Sequence, residues 1–170
     1  MPDMLVKLYE LSPLAPPLEA LKAVGVTIRT AMAYEKHHVV AWVQRSFSQG
    51  WASECDVTFG RQPITCCIAI ENGHLIGFAC YESTWKNFFG PMGVAEHARG
   101  RGIGAGLLLA CLHAMAALGY AYAIIGDAGP PDFYTRTVGA IPIADSTPGA
   151  YPAWLQTPCP DIRDLPHLDI

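Results

Sequence analysis

Charge is scarce in this chain. Asp, Glu, Lys and Arg make up 15% of its 170 residues, against roughly 25% in an average soluble domain. From Gly102 to Gly126 no residue carries a formal charge, and Leu107 to Ile125 approaches the ~20 residues of a bilayer span. The run lacks what a span needs, however. Gly119 interrupts it, Tyr120 and Tyr122 open a β-branched and aromatic pattern, and neither end carries the basic cluster that orients a membrane helix. It reads as a buried helix followed by a buried strand, with no membrane partner.

Other absences narrow the field. A net charge of -4 gives no basic face, so a nucleic-acid partner is not expected. No basic stretch leads into a long apolar segment at Met1-Pro2-Asp3-Met4, so no signal peptide is expected. The cysteines (Cys55, Cys66, Cys67, Cys80, Cys111, Cys159) show no C-x-x-C, and Cys66 and Cys67 face opposite sides if they lie on a strand. Reduced thiols in a cytoplasmic protein follow. The histidines include no H-x-x-x-H and His37-His38 are adjacent, so no metal is expected. Length fits one domain over 1–170, with an N-terminal extension over 1–25 and an irregular tail over 156–170. Low charge and long apolar runs suit a homodimer.

What is present alternates strand and helix signals. Met4 to Leu11 is a short alternating run, Leu18 to Val24 a helix ended by Gly25, Val26 to Thr30 a strand and Tyr34 to Phe47 a helix with Val39, Val40, Val43 and Phe47 on one face. Trp51 to Gln62 reads as irregular. Ile64 to Ile70 and His74 to Glu82 are strands joined by Asn72-Gly73, a hairpin signal. Phe88 to Val94 is a strand that Pro91 must splay or bulge, because proline donates no ladder hydrogen bond. Ile103, Leu107, Leu108, Cys111, Met115 and Leu118 form a helical stripe. Ala121 to Ile125 is the next strand, a short helix starts near Pro130-Pro131, and Ala140 to Ala144 and Ala150 to Leu155 close the chain as strands. This order is mixed α/β around one sheet.

The chemistry concentrates between Val94 and Leu108. Gly100, Gly102, Gly104 and Gly106 let backbone N–H groups approach a ligand, the following helix N-terminus adds partial positive charge, and Arg99 and Arg101 complete a polyanion site. Two readings compete. Gly100 to Ala105 satisfies G-x-G-x-x-A, with Asp127 where a dinucleotide-binding fold puts its ribose acid. Too little chain follows Asp127 for the remaining parallel units.

In the other reading, Arg99-Gly100-Arg101-Gly102-Ile103-Gly104 resembles the R/Q-x-x-G-x-G/A signature of the GNAT superfamily of N-acetyltransferases. Phe133-Tyr134-x-Arg136-x-x-Gly139 is similar to that family's aromatic-Tyr-x-Lys/Arg segment. The resemblance runs from about Val26 to Leu155. It implies the GNAT fold, a mostly antiparallel central sheet with a splayed strand, flanked by helices. It also implies acetyl-CoA as cosubstrate. The pyrophosphate would lie on Arg99, Gly100, Arg101, Gly102, Ile103 and Gly104, and the pantetheine arm along Met92, Gly93 and Val94. An N–H of Met92 or Val94 would face the thioester oxyanion.

The family's direct attack by an amine makes Tyr134 the candidate general acid for the departing thiolate, a phenol of pKa about 10. Glu82 could act as base through a water, with Glu54, Asp56 and Glu96 as alternatives. Trp51, Phe59 and Trp85 could line the site of a small-molecule or peptide amine. A non-catalytic acyl-CoA-binding module is the alternative that keeps the loop and uses Tyr134 only for packing.

Overall fold

Asn72 and Gly73 both adopt positive φ, 50° and 79°, as a tight hairpin turn requires, and they join β3 (Cys66–Glu71) to β4 (His74–Tyr81). The computed structural model describes residues 1–151. The strand expected over Ala150 to Leu155 therefore lies, apart from Ala150 and Tyr151, outside the described residues, as does the tail. Around the hairpin the chain builds one seven-stranded sheet in the order β2-β3-β4-β5-β6-β1-β7. The remaining strands are β1 (Met4–Lys7), β2 (Val26–Thr30), β5 (Phe88–Val94), β6 (Tyr122–Ile125) and β7 (Ile141–Pro142). Every pairing is antiparallel except β5 with β6. A sheet of this pattern is not the parallel sheet of a dinucleotide-binding domain.

The first 25 residues are woven into this sheet. Met4 and Val6 of β1 are fully buried between β6 and β7. Leu21 of α1 (Ala15–Ala23) joins the core beneath α4 (Ile103–Ala117). Proline at the start of α1 costs no hydrogen bond in a first turn, which lets the helix begin before Leu18.

Each face of the sheet has its own core. On one side α4 packs Ile103, Leu107, Leu108, Cys111, Leu112 and Met115 against alternate residues Cys67, Ala69 and Ala79 of the hairpin. On the other, α2 (Lys36–Ser46) and α3 (Gln49–Thr58) cover Cys66, Ile68, Phe78 and Cys80. Cys66 and Cys67 thus belong to opposite cores. The uncharged stretch is α4, a turn at Gly119 and β6, and among the described residues no helix is long and apolar enough to cross a membrane.

The segment read as irregular from Trp51 onward is largely α3. Its signal is local: Ser48 caps it by accepting from Trp51 N at 3.1 Å, and Ala52, Cys55 and Phe59 recur at helical spacing. Glu54 and Asp56, on its more solvated side, obscured that period.

Candidate functional site

Pro91 creates the opening that the site occupies. Along β4 and β5 the register runs Gly77↔Val94, Phe78↔Gly93 and Ala79↔Met92, and then shifts to Tyr81↔Phe89. Gly90 and Pro91 therefore fall opposite Cys80 alone, a bulge. On its other edge β5 pairs with β6 only at Phe88↔Ile124 and Phe89↔Ile125. Beyond that point the strands diverge and, among the described residues, no strand pairs with the second half of β5 on that side. Ala95 N donates to Ile76 O at 2.8 Å, so by alternation Gly93 faces β4 while the backbone groups of Met92 and Val94 face the opening.

A cleft of about 540 Å³ fills the gap. Met92, Gly93 and Val94 form its wall, Arg99, Gly100, Gly102, Ile103 and Gly104 one end, and Tyr134 the other. Eight residues singled out for a cofactor, together with Tyr134, thus share one concavity. Arg101 is not among its lining residues. Its guanidinium turns to Glu71 at the hairpin tip, with N···O distances of 3.2 and 2.5 Å. That hydrogen-bonded carboxylate raises the Arg101 pKa, and Arg101 lowers that of Glu71.

Three of the four alternating glycines divide between two tasks. Gly100 and Gly102 hold φ of 75° and 79° with open space where a Cβ would stand, a backbone that only glycine adopts without strain. Gly102 is the N-cap of α4 and offers no side chain, so the first N–H groups of the helix are uncapped from within, and Ile103, Gly104 and Ala105, which carry them, line the cleft. Gly106 serves packing, because a Cβ there would sit 2.7 Å from both Ile28 Cδ1 and Leu21 Cδ1. Arg99 Nε donates to Val94 O at 3.2 Å, tying the loop to β5.

Tyr134 lies in α5 (Pro131–Val138), which Gly139 closes at φ 64°. Its ring packs edge-on to Phe133 and Phe89 at centroid distances of 5.1 and 6.5 Å. It is 7% exposed, and burial raises the phenol's pKa. The hydroxyl is therefore protonated throughout the neutral range.

Beside the cleft, sharing Trp51, Met92, Gly129 and Tyr134 with it, lies a second cavity of about 160 Å³. Its wall includes Glu54 and Asp127, the rings of Phe89 and Tyr151 and, among the described residues, no Lys or Arg; the Asp127 carboxylate is paired with the Met1 ammonium at 2.8 Å. Thr84 Oγ1 fixes Glu54 by donating at 2.7 Å. Asp127, at φ 46°, extends from the end of β6.

Glu82 looks elsewhere. It is buried, receives hydrogen bonds from Tyr120 and Lys86, and lines a separate cavity with Arg61 and Thr65. Burial opposes its ionisation, but the hydrogen bonds from Tyr120 and Lys86 outweigh it and hold the carboxyl below its usual range. Asp56 pairs with Lys36 at 3.1 Å, Phe59 is in the core, and Trp85 is 45% exposed. Neither Asp56 nor Glu96 lines either cavity of the site. Sequence reasoning missed Phe47 and Phe133 in the cleft wall. Phe47 ends the apolar stripe of α2, and a Cβ on Gly93 would lie 2.4 Å from its ring.

Comparison with known proteins adds a family. A model of the acetyltransferase (GNAT) family matches residues 33–139. No curated protein matches the chain. Among solved structures, a GCN5-related glucosamine N-acetyltransferase region in a fungal multi-domain GH3 β-N-acetylglucosaminidase superposes with a TM-score of 0.67 at 18% identity, covering 84% of this chain and 19% of that one. GCN5-related N-acetyltransferases from Sphaerobacter thermophilus and Kribbella flavida give 0.60 and 0.57 at 22% and 19% identity. They cover 84% and 83% of this chain, and 48% and 53% of theirs. The chain thus spans between about a fifth and about half of the length of these structures, and the likeness is one of fold.

Proposed function

Because the chain belongs to the acetyltransferase (GNAT) family, we propose that it moves an acetyl group from acetyl-CoA to a primary amine, by direct attack within a ternary complex. The observation that carries this reading is the junction at Tyr134. There a cleft ending in uncapped helical N–H groups meets a cavity with an acidic wall.

The pyrophosphate is received by the backbone N–H groups of Ile103, Gly104 and Ala105 and by Arg99, where the α4 dipole favours negative charge. Arg101 joins them by leaving Glu71. The backbone edge at Met92 and Val94, where Arg99 already occupies the Val94 carbonyl, takes the pantetheine amide groups like an added strand. One of those N–H groups stabilises the oxyanion that forms when nitrogen attacks the thioester carbon. Carbon–sulfur cleavage then sends the electron pair to sulfur, Tyr134 donates its proton there, and the proton shed by the acylated nitrogen returns the phenolate to phenol. Burial makes the phenol a weaker acid, but the same dry surroundings raise the proton affinity of the departing thiolate.

The amine enters from the cavity beside Tyr134. Glu54, adjoining the cleft, attracts it as an ammonium ion and takes the proton that frees the lone pair. This support for Glu54 exceeds that for Glu82, which would reach the amine only through water. A free amine carrying positive charge, from a small molecule or a peptide, suits such a wall. A cytoplasmic homodimer completes the reading, on the composition of the sequence.

Thermal-shift titration tests it: acetyl-CoA and CoA should stabilise the protein and NAD should not. Thiol release against an amine panel should then show turnover. Stabilisation without turnover on any amine would leave an acyl-CoA-binding module instead, and stabilisation by NAD alone would overturn both.

A further inference from the structure

Away from the cleft, under α3, three thiols converge. Cys55 comes from the buried side of α3, Cys66 from the start of β3 and Cys80 from near the end of β4, all fully buried. Their sulfur atoms lie within 4.8 Å of one another. Cys66 and Cys80 are direct cross-strand partners. Tyr81 N donates to Thr65 O at 3.0 Å, so Cys66 and Cys80 occupy the adjacent non-hydrogen-bonded position, where Cα atoms approach to about 4.5 Å and side chains stand closest. Cys55 descends onto this pair from the helix above. Cys67 and Cys111 belong to the core on the opposite face.

From this geometry we propose that Cys55, Cys66 and Cys80 form a three-sulfur site for a soft, monovalent d10 metal ion, Cu(I) by chemistry. Metal–sulfur bonds of about 2.3 Å require sulfurs ~4 Å apart in a trigonal site, within the spacing found. Among the described residues no fourth His, Asp, Glu or Cys joins the group. A structural zinc needs four donors, whereas thiolate ligands select Cu(I) among the soft ions. A buried site tolerates little net charge, and a monovalent ion brings less of it than a divalent one.

The site would fasten α3 to the β3–β4 hairpin. The residue before Cys55 is Glu54, and Trp51 is one turn away, so occupancy steadies the helix that walls the acidic cavity. With the sulfurs fully buried, the ion enters as the chain folds or when α3 opens locally.

Reduced protein is titrated anaerobically with Cu(I) against a chromophoric Cu(I) chelator, with thermal unfolding followed in parallel. Wild type should hold one competition-resistant equivalent per chain and melt higher when loaded. Cys55→Ala, Cys66→Ala and Cys80→Ala should each lose both properties. A combined Cys67→Ala, Cys111→Ala and Cys159→Ala variant, which keeps only these three thiols, should retain both. No resistant equivalent in wild type, or one that survives the substitutions at Cys55, Cys66 and Cys80, overturns the proposal. If the combined variant does not fold, X-ray absorption of loaded wild type decides: three sulfur neighbours support the site and any other count refutes it.

Discussion

Replacing Tyr134 by phenylalanine tests the proposed proton donor apart from packing, because its ring and its hydroxyl have different surroundings. The ring is held by Phe133 and Phe89, contacts that phenylalanine keeps. The hydroxyl's pKa is shifted by burial alone, with no hydrogen-bonding partner contributing. Tyr134 lines the open cleft, and removing a hydroxyl that no described residue bonds leaves no orphaned group behind, so stability should change by less than about 0.5 kcal/mol. Loss of a general acid costs typically 10²- to 10⁴-fold in rate, equivalent to about 2.7–5.4 kcal/mol of barrier. The KM for acetyl-CoA should stay nearly constant. Thiol release measured with a chromogenic disulfide gives kcat, and a circular-dichroism melt gives Tm. The pH profile adds a check: with the phenol raised above its ordinary value, wild-type kcat should not decline on the alkaline side below about pH 10. A Tyr134→Phe enzyme of wild-type Tm and near-wild-type kcat would refute the assignment.

Four further outcomes follow from particular contacts. Gly106→Ala should lower Tm, because overpacking against Ile28 and Leu21, about 1–3 kcal/mol, outweighs the ~1 kcal/mol that alanine returns inside a helix. Gly102→Ala, strained at φ 79°, should weaken CoA binding in calorimetry more than any loss of stability explains. Glu71→Gln should release Arg101 and tighten CoA binding, while Arg101→Ala should weaken it, and unchanged affinity in both would refute a phosphate role for Arg101. Hydrogen bonding to Arg29 lowers the Glu35 carboxyl to about 2, so the folded pKa lies below the unfolded one. The stabilisation is then fully present above the ordinary Glu value and lost as pH falls towards 2. Glu35→Gln should flatten that acid limb in melts followed against pH.

Local physics made much of the molecule legible from residues alone. Asn72-Gly73 could hardly be anything but a turn, Pro91 had to interrupt its ladder, and Gly100 to Gly106 had to join a strand to an apolar helix. Those constraints act within a few residues, and in each case the structure follows them. The excess of apolar residues that raised a membrane question is accounted for by two cores, one on each face of the sheet. α3 escaped notice because its acidic side answers to a cavity and its apolar side to a sheet, and neither is visible along the chain.

What the tertiary structure alone decided is which side chains meet. Arg101 and Glu71 are thirty positions apart and pair because the hairpin tip reaches the α4 loop. Glu82 and Glu54 were equal candidates as carboxylates in a sequence, yet register turns one towards Tyr120 and helix phase turns the other to the site. Cys55, Cys66 and Cys80 show no ligand spacing, and their sulfurs converge only once β3 and β4 pair and α3 settles on them. The sequence by itself determined the loop, the turns and the strand that must splay, because backbone conformation is a local property. Side-chain partnership depends on the packing of distant segments, and there the fold had the last word.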